Sequence, residues 1–147
     1  MSKTILITGT SSGFGKLITQ TLLNNGHRVI STMRQPDGKN AAAAEEIRSY
    51  GNESNLLIAE LDVTQDTSVN NAVEKAIDQF GTIDVLINNA GIGNGGISEG
   101  FTTEQFQKLM DVNVTGVHRV TRAVLPAMRK NEQGLIINIS SVMGRIV

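Results

Sequence analysis

The sequence predicts a doubly wound α/β fold, a Rossmann-like parallel sheet covered by helices. Three observations carry that prediction. Short apolar runs rich in Ile, Leu and Val recur along the chain, helical patterns fill the gaps between them, and a glycine-rich turn links the first run to the first helix. Near-continuous apolar runs suit strands buried on both faces of a parallel sheet. Strands alternating with helices give right-handed crossovers, which set helices on both sides.

The strands are expected at Lys3–Thr8, around the run Ile5–Ile7, then at Arg28–Met33, Leu56–Leu61, Ile83–Asn88 and Leu135–Ser140. In the first helix Phe14, Ile18, Leu22 and Leu23 share a face, and Gly26 suits the left-handed residue that ends a helix. Ala41–Tyr50 is rich in helix formers, with Asn40 as its N-cap. Val69, Ala72, Val73, Ala76, Ile77 and Phe80 form an apolar stripe closed by Gly81. A fourth, longest helix starts at a capping box, Thr102-x-x-Gln105, and carries Phe106, Leu109, Met110, Val117, Val120, Val124 and Met128. No linker divides residues 1–147, so a single domain with one core is expected.

Composition narrows the function. Of the 147 residues 39% are hydrophobic and 18% charged, an ordinary balance for a folded chain. The net charge is −1 and no basic run occurs, which argues against a nucleic-acid partner. There is no cysteine, and the two histidines, His27 and His118, are far apart, so no metal site is expected. Both are expected on the surface, without a catalytic role. No stretch approaches the roughly 20 apolar residues of a membrane helix, and the N-terminal run is too short for a signal peptide. A soluble, cytoplasmic protein is the expectation.

The glycine-rich turn is the strongest local signal. Gly9-Thr10-Ser11-Ser12-Gly13-Phe14-Gly15 follows a strand and opens a helix. Glycines there let the backbone approach a ligand, and the helix N-terminus offers free N–H groups to a phosphate. A merely tight turn is the bland alternative.

Thr8–Gly15, TGTSSGFG, resembles the TGxxxGxG motif of the short-chain dehydrogenases/reductases, rather than the GxGxxG of larger dehydrogenases. Leu61-Asp62-Val63 resembles the family's adenine-binding segment, with Asp62 as acceptor. Asn88-Asn89-Ala90-Gly91 matches its NNAG motif, which both ties strands together and approaches the cofactor ribose. Asn113 falls where the family has its active-site asparagine, and Asn138–Gly144 resembles the segment of the active-site serine. The resemblance spans the chain and implies hydride transfer between a nicotinamide cofactor and a carbonyl or alcohol. It implies cofactor contacts from Gly9, Ser11, Ser12, Gly13, Phe14, Gly15, Arg34, Asp62, Val63, Asn89, Ala90 and Gly91.

The second strand ends at Met33-Arg34 with no acid. A carboxylate there would accept from the ribose hydroxyls of NAD, whereas a guanidinium pairs with the 2′-phosphate of NADP. NADP is therefore the expected cofactor. The other readings of Arg34 are a solvated surface side chain or a pair with nearby Asp37.

By resemblance, a serine holds the substrate oxygen, an asparagine supports a water chain, and a tyrosine moves the proton beside a lysine that lowers its pKa. Between Ser140 and Ser141, which should point oppositely in a strand, Ser141 fits the turn ending at Gly144 and the spacing from Asn113. A strand-end serine satisfying backbone groups is the alternative. Asn113 also sits on the apolar stripe of the long helix and must find hydrogen-bond partners whatever else it does. The tyrosine and lysine are missing: Tyr50 is the one tyrosine and does not begin a YxxxK motif. The family places that motif past Val147, so the sequence is expected to be the first half of a longer chain. The fifth strand is then expected to be an apolar edge, and a polypeptide of this length poorly soluble.

The expected function is thus an NADP(H)-dependent oxidoreductase acting on a small carbonyl or alcohol, a homo-oligomer when complete. A noncatalytic NADP-binding regulator on the same scaffold is the second reading. A methyltransferase-like domain is disfavoured by Met33-Arg34, where that class usually has an acid.

Overall fold

The computed structural model describes residues 2–93 and 95–142. It contains a five-stranded sheet, all parallel, in the order β3-β2-β1-β4-β5. The strands are β1 (Thr4–Thr8), β2 (Arg28–Met33), β3 (Leu56–Glu60), β4 (Val85–Asn88) and β5 (Leu135–Asn138). The helices are α1 (Gly13–Asn24), α2 (Ala41–Arg48), α3 (Asp66–Phe80), α4 (Thr103–Met110) and α5 (Gly116–Lys130). This is the doubly wound arrangement expected from the alternation of runs.

Side chains alternate between two cores along each strand. Leu6, Ile30 and Leu86 face the core that Val69, Val73 and Phe80 of α3 and Val120, Val124 and Met128 of α5 complete. Ile5, Ile7, Val29 and Ile87 face the other, closed by Leu23 of α1 and by Ala44 and Ile47 of α2. Burial on both faces is why the runs showed no period of two.

Several expectations change. Phe14 does not join the buried stripe of α1: it is 73% exposed, and Gly15, Thr19 and Leu23 are the buried positions instead. Thr19 fits there because its hydroxyl donates to the Gly15 carbonyl. Asn40 is the N-cap residue of α2, as expected, but its side chain makes no capping bond. Its amide donates to the Arg34 carbonyl at 2.6 Å, and the helix ends at Arg48 rather than Tyr50. His27 is half-buried, and its Nδ1 accepts from the Lys3 amide at 3.1 Å. Strands β3, β4 and β5 are shorter than expected, and β5 stops at Asn138.

The longest helix is interrupted. Its capping box forms as predicted, with the Thr102 hydroxyl accepting from the Gln105 amide and the Gln105 side chain accepting from the Thr102 amide. Between α4 and α5 the turn widens to a π-helical segment, Asp111–Thr115. Such a wide turn rotates the residues beyond it, so the stripe does not stay on one face. Phe106 and Met110 are exposed, while Val120, Val124 and Met128 are buried. In β5, Leu135 and Ile137 are exposed, as befits a sheet edge. Among the described residues no helix is long and apolar enough to cross a membrane.

Outside the sheet, Lys16 of α1 donates to both oxygens of Glu46 on α2, at 2.9 and 3.0 Å. The hydrogen bond from Lys16, partly opposed by desolvation, holds the Glu46 carboxyl below the usual range. A lowered folded-state pKa stabilises above the ordinary carboxylate value and is lost as pH falls through the lowered one. Lys16→Met should therefore make the acid limb of the stability curve shallower, by a small amount because the pair is exposed. Denaturant midpoints between about pH 3 and 6 read this out; parallel limbs would reject it.

Candidate functional site

Strand order reverses at β1, which lies between β2 and β4. Connections leaving β1 and β4 therefore go to opposite faces and part at the C-terminal ends of the strands, where open α/β sheets hold ligands. A groove of about 690 Å³ lies there.

The floor is the turn after β1. Gly9 has φ +72°, and a Cβ on it would come within 2.8 Å of the Ala90 Cα, so the turn needs glycine for conformation and for space. A Cβ on Gly15 would run into the Gly9 carbonyl oxygen and the Asn89 amide. Ser12 is the N-cap of α1 in extended conformation, yet its side chain makes no capping bond. Ser12 thus caps none of the first-turn N–H groups of α1, which have no intrahelical acceptor and start beside Ser11 and Ser12 in the groove wall.

A set of buried hydroxyls holds this turn. Thr10 is fully buried; its amide donates to the Thr32 carbonyl at 3.0 Å, and its hydroxyl lies 2.7 Å from that of Ser31. The Thr8 hydroxyl accepts from the amides of Asn89 at 3.0 Å and Ala90 at 2.9 Å. In return the Asn89 side chain donates to the carbonyls of Thr8 and Gly9. The loop after β4 is thereby clasped to the loop after β1, so Asn89 serves the strand-tying role and also lines the groove.

Charge is uneven along the groove. After β2 the chain turns through Gln35, whose φ is +48°, and the Gln35 carbonyl accepts from the amides of Gly38 and Asn40. This loop puts Arg34 and Lys39 in the wall. Asp37 is not Arg34's partner: it pairs with Arg48 at 3.8 Å. Among the described residues neither Arg34 nor Lys39 forms an ion pair. The opposing charges in the wall are Asp62 and Glu60, the latter accepting weakly from the Gln35 amide at 3.4 Å.

Asp62 and Val63 line the groove just after β3. One Asp62 oxygen accepts from the amide and hydroxyl of Thr64, which fixes the carboxylate's orientation. Opposite them lie Ala90, Gly91, Ile92 and Val112. Asn113 stands behind this wall on the π-helical segment. Its Oδ1 accepts from the Ile92 amide at 2.9 Å and its Nδ2 donates to the Ile92 carbonyl at 2.8 Å. Two bonds to the backbone of one residue satisfy the half-buried amide and pin the loop.

Of the twelve residues expected to contact cofactor, ten lie together in this wall: Gly9, Ser11, Ser12, Phe14, Arg34, Asp62, Val63, Asn89, Ala90 and Gly91. Gly13 and Gly15 lie outside it, one starting α1 and the other packed against Gly9 and Asn89. Asn113 is not in the wall itself but lies behind Gly91 and Ile92, which are. Ser141 is exposed and lies beyond the end of β5, so the alternation of a strand does not choose between it and Ser140. Met143 and Gly144, in the serine segment, fall outside the described residues. Sequence reasoning missed Thr8 and Lys39. Thr8 had a signal, a hydroxyl ending an apolar strand beside the glycine turn; Lys39 is five residues past Arg34, and only the fold of the loop brings the two together.

Residues 3–147 match a family model described as short chain dehydrogenase. The chain is 46% identical over 140 residues to a 3-ketodihydrosphingosine reductase of Bacteroides thetaiotaomicron, covering 95% of this chain and 47% of that protein. It is 35% identical over 144 residues to a 3-oxoacyl-[acyl-carrier-protein] reductase of Escherichia coli, covering 97% of this chain and 56% of the relative. The chain thus spans about half the length of the curated relatives it matches. Among solved structures it is similar to a short-chain dehydrogenase from Streptomyces avermitilis, with TM-score 0.90 and 33% identity over 100% of this chain and 52% of that one. It is also similar to ElxO with NADP bound, with TM-score 0.87 and 34% identity over 99% of this chain and 58% of that one.

Proposed function

The chain belongs to the short chain dehydrogenase family, and from that premise we propose that it forms the cofactor-binding part of an NADP(H)-dependent oxidoreductase that interconverts a carbonyl and an alcohol. The observation that carries the cofactor choice is the pair of cations, Arg34 and Lys39, that have no ion-pair partner among the described residues and lie in the groove wall after β2. Two cations held close together on one loop suit a ligand with an added phosphate, with the carboxylates of Glu60 and Asp62 further along the same wall. The glycine turn supports the rest of the fit. A Cβ at Gly9 would meet the opposite wall, and the N-terminus of α1 offers donors and a positive dipole end for a pyrophosphate.

When bound, the nicotinamide supplies the hydride chemistry. The residues of this chain bind and orient it: Ser11 and Ser12 beside the pyrophosphate, Asp62 and Val63 at the adenine, and Asn89 to Gly91 along the ribose that leads to the reacting ring. In this proposal Ser141 holds the substrate oxygen, and Asn113 keeps the Ile92 peptide in place at that end. A noncatalytic NADP-binding role is the competing outcome.

Titrating the complete protein with NADPH and NADH tests the reading. NADPH should bind at least about tenfold more tightly. Equal affinity would reject the NADP assignment, and no affinity for either would reject the site. NADPH oxidation with a panel of carbonyl compounds decides between enzyme and sensor.

A further inference from the structure

A guanidinium in α5 makes a junction between three segments that meet around the groove. Arg119 is only 15% exposed. One of its terminal nitrogens donates to the carbonyl of Val63, which lines the groove. Its Nε pairs with Asp66 in the first turn of α3 at 3.3 Å. Its other terminal nitrogen reaches Asp111, the first residue of the π-helical segment, at 3.2 Å. The planar fork of arginine can serve three acceptors at fixed angles, which a lysine cannot.

A second contact joins the same places. Gly116, the first residue of α5, is buried against Val63, and a Cβ on it would come within 2.9 Å of a Val63 methyl. Helix α5 therefore rests against the Val63 loop through a glycine and is bonded to it through Arg119. From Asp111 the π-helical segment carries Val112 into the groove wall, while Asn113 bonds both the N–H and the carbonyl of Ile92.

We propose that Arg119 is a positioning residue that couples the Asp62–Val63 side of the groove to the loop around Ile92 that faces it. It sets the Asp62–Val63 loop and the wide helical turn in one register, so that ordering either favours the other. π-Helical insertions often occur at functional sites, and this one places two successive residues differently, Val112 in the wall and Asn113 behind it. The inference rests on the groove being a dinucleotide site.

The test uses the complete protein with Arg119→Met and Arg119→Lys. Arg119→Met should raise the dissociation constants of NADPH and NADH by the same factor, about tenfold, leaving their ratio unchanged. Hydrogen exchange supplies the readout that a purely structural role would not move. In the wild type, NADPH should increase protection of the Ile92 amide; in Arg119→Met that gain should disappear, with melting and exchange in the α2 region unaltered. Arg119→Lys, whose donors all sit on one nitrogen and cannot span the three separated acceptors, should fall between. If Arg119→Met does not fold, Asp111→Asn, which leaves a neutral acceptor, should show the loss of coupling in reduced degree. Wild-type affinities together with wild-type protection at Ile92 would overturn the proposal. Failure of the wild type to bind either dinucleotide would instead remove the site on which it rests.

Discussion

Arg34→Glu should reverse the preference of the complete protein from NADPH to NADH. A charge-assisted bond to a phosphate contributes about 1.5–3 kcal/mol, so its loss alone lowers NADPH affinity roughly ten- to a hundredfold. A carboxylate at that position adds repulsion of the 2′-phosphate and offers an acceptor to the ribose hydroxyls of NADH. Arg34 suits this test because its expected competitor, Asp37, is engaged with Arg48, so the substitution leaves no carboxylate stranded. Two companion variants fix the direction. Lys39→Ala should move the ratio the same way by less, and Glu60→Gln should move it the other way, since that carboxylate is an opposing charge in the wall. The differences should shrink as salt is added, because all three groups are exposed. A ratio of dissociation constants that none of the three variants changes would remove the basis for assigning NADP.

Thr8→Val should cost about 2–4 kcal/mol of stability, although the side chains have nearly the same shape. The Thr8 hydroxyl is 1% exposed and is the acceptor for two amides, those of Asn89 and Ala90. Valine leaves both half-buried donors without that partner, and each unsatisfied donor costs about 1–3 kcal/mol, towards the lower end where water reaches it. Thr4→Val, in the same strand, is the control. Thr4 is equally buried, but its hydroxyl has no partner among the described residues, so the substitution should be neutral or mildly stabilising. Denaturant unfolding of both variants gives the comparison, and dinucleotide titration should show weaker binding only for Thr8→Val. Equal effects would mean that the hydroxyl of Thr8 does not hold the two loops together.

Much of the fold was legible because its signals are local. The apolar runs marked all five strands, and the capping box at Thr102 and the left-handed Gly81 marked helix ends where the structure has them. The glycine turn was legible for the same reason: backbone conformation constrains residue type at the position itself. What sequence could not supply depends on contacts between distant segments. Phe14 has a core residue's chemistry, but the helix start places it at the groove. The π-helical turn keeps a helical composition and changes only the register, so periodicity ran straight through it. Arg119 looks like any charged residue on a helix until Val63, Asp66 and Asp111 are brought beside it. The choice between Ser140 and Ser141 assumed a strand that ends two residues earlier.

The clasp at Thr8 has a consequence for how the crevice comes into being. Its partners are 81 and 82 residues further along the chain, with β2, β3 and three helices in between. A nascent chain emerging from the ribosome can pair the first three strands by short crossovers, yet one wall of the crevice does not exist until β4 inserts beside β1. Such long-range closures come late and slowly in folding. Early half-folded species should therefore have little hold on dinucleotide, which would act on the last assembly step by trapping it once formed.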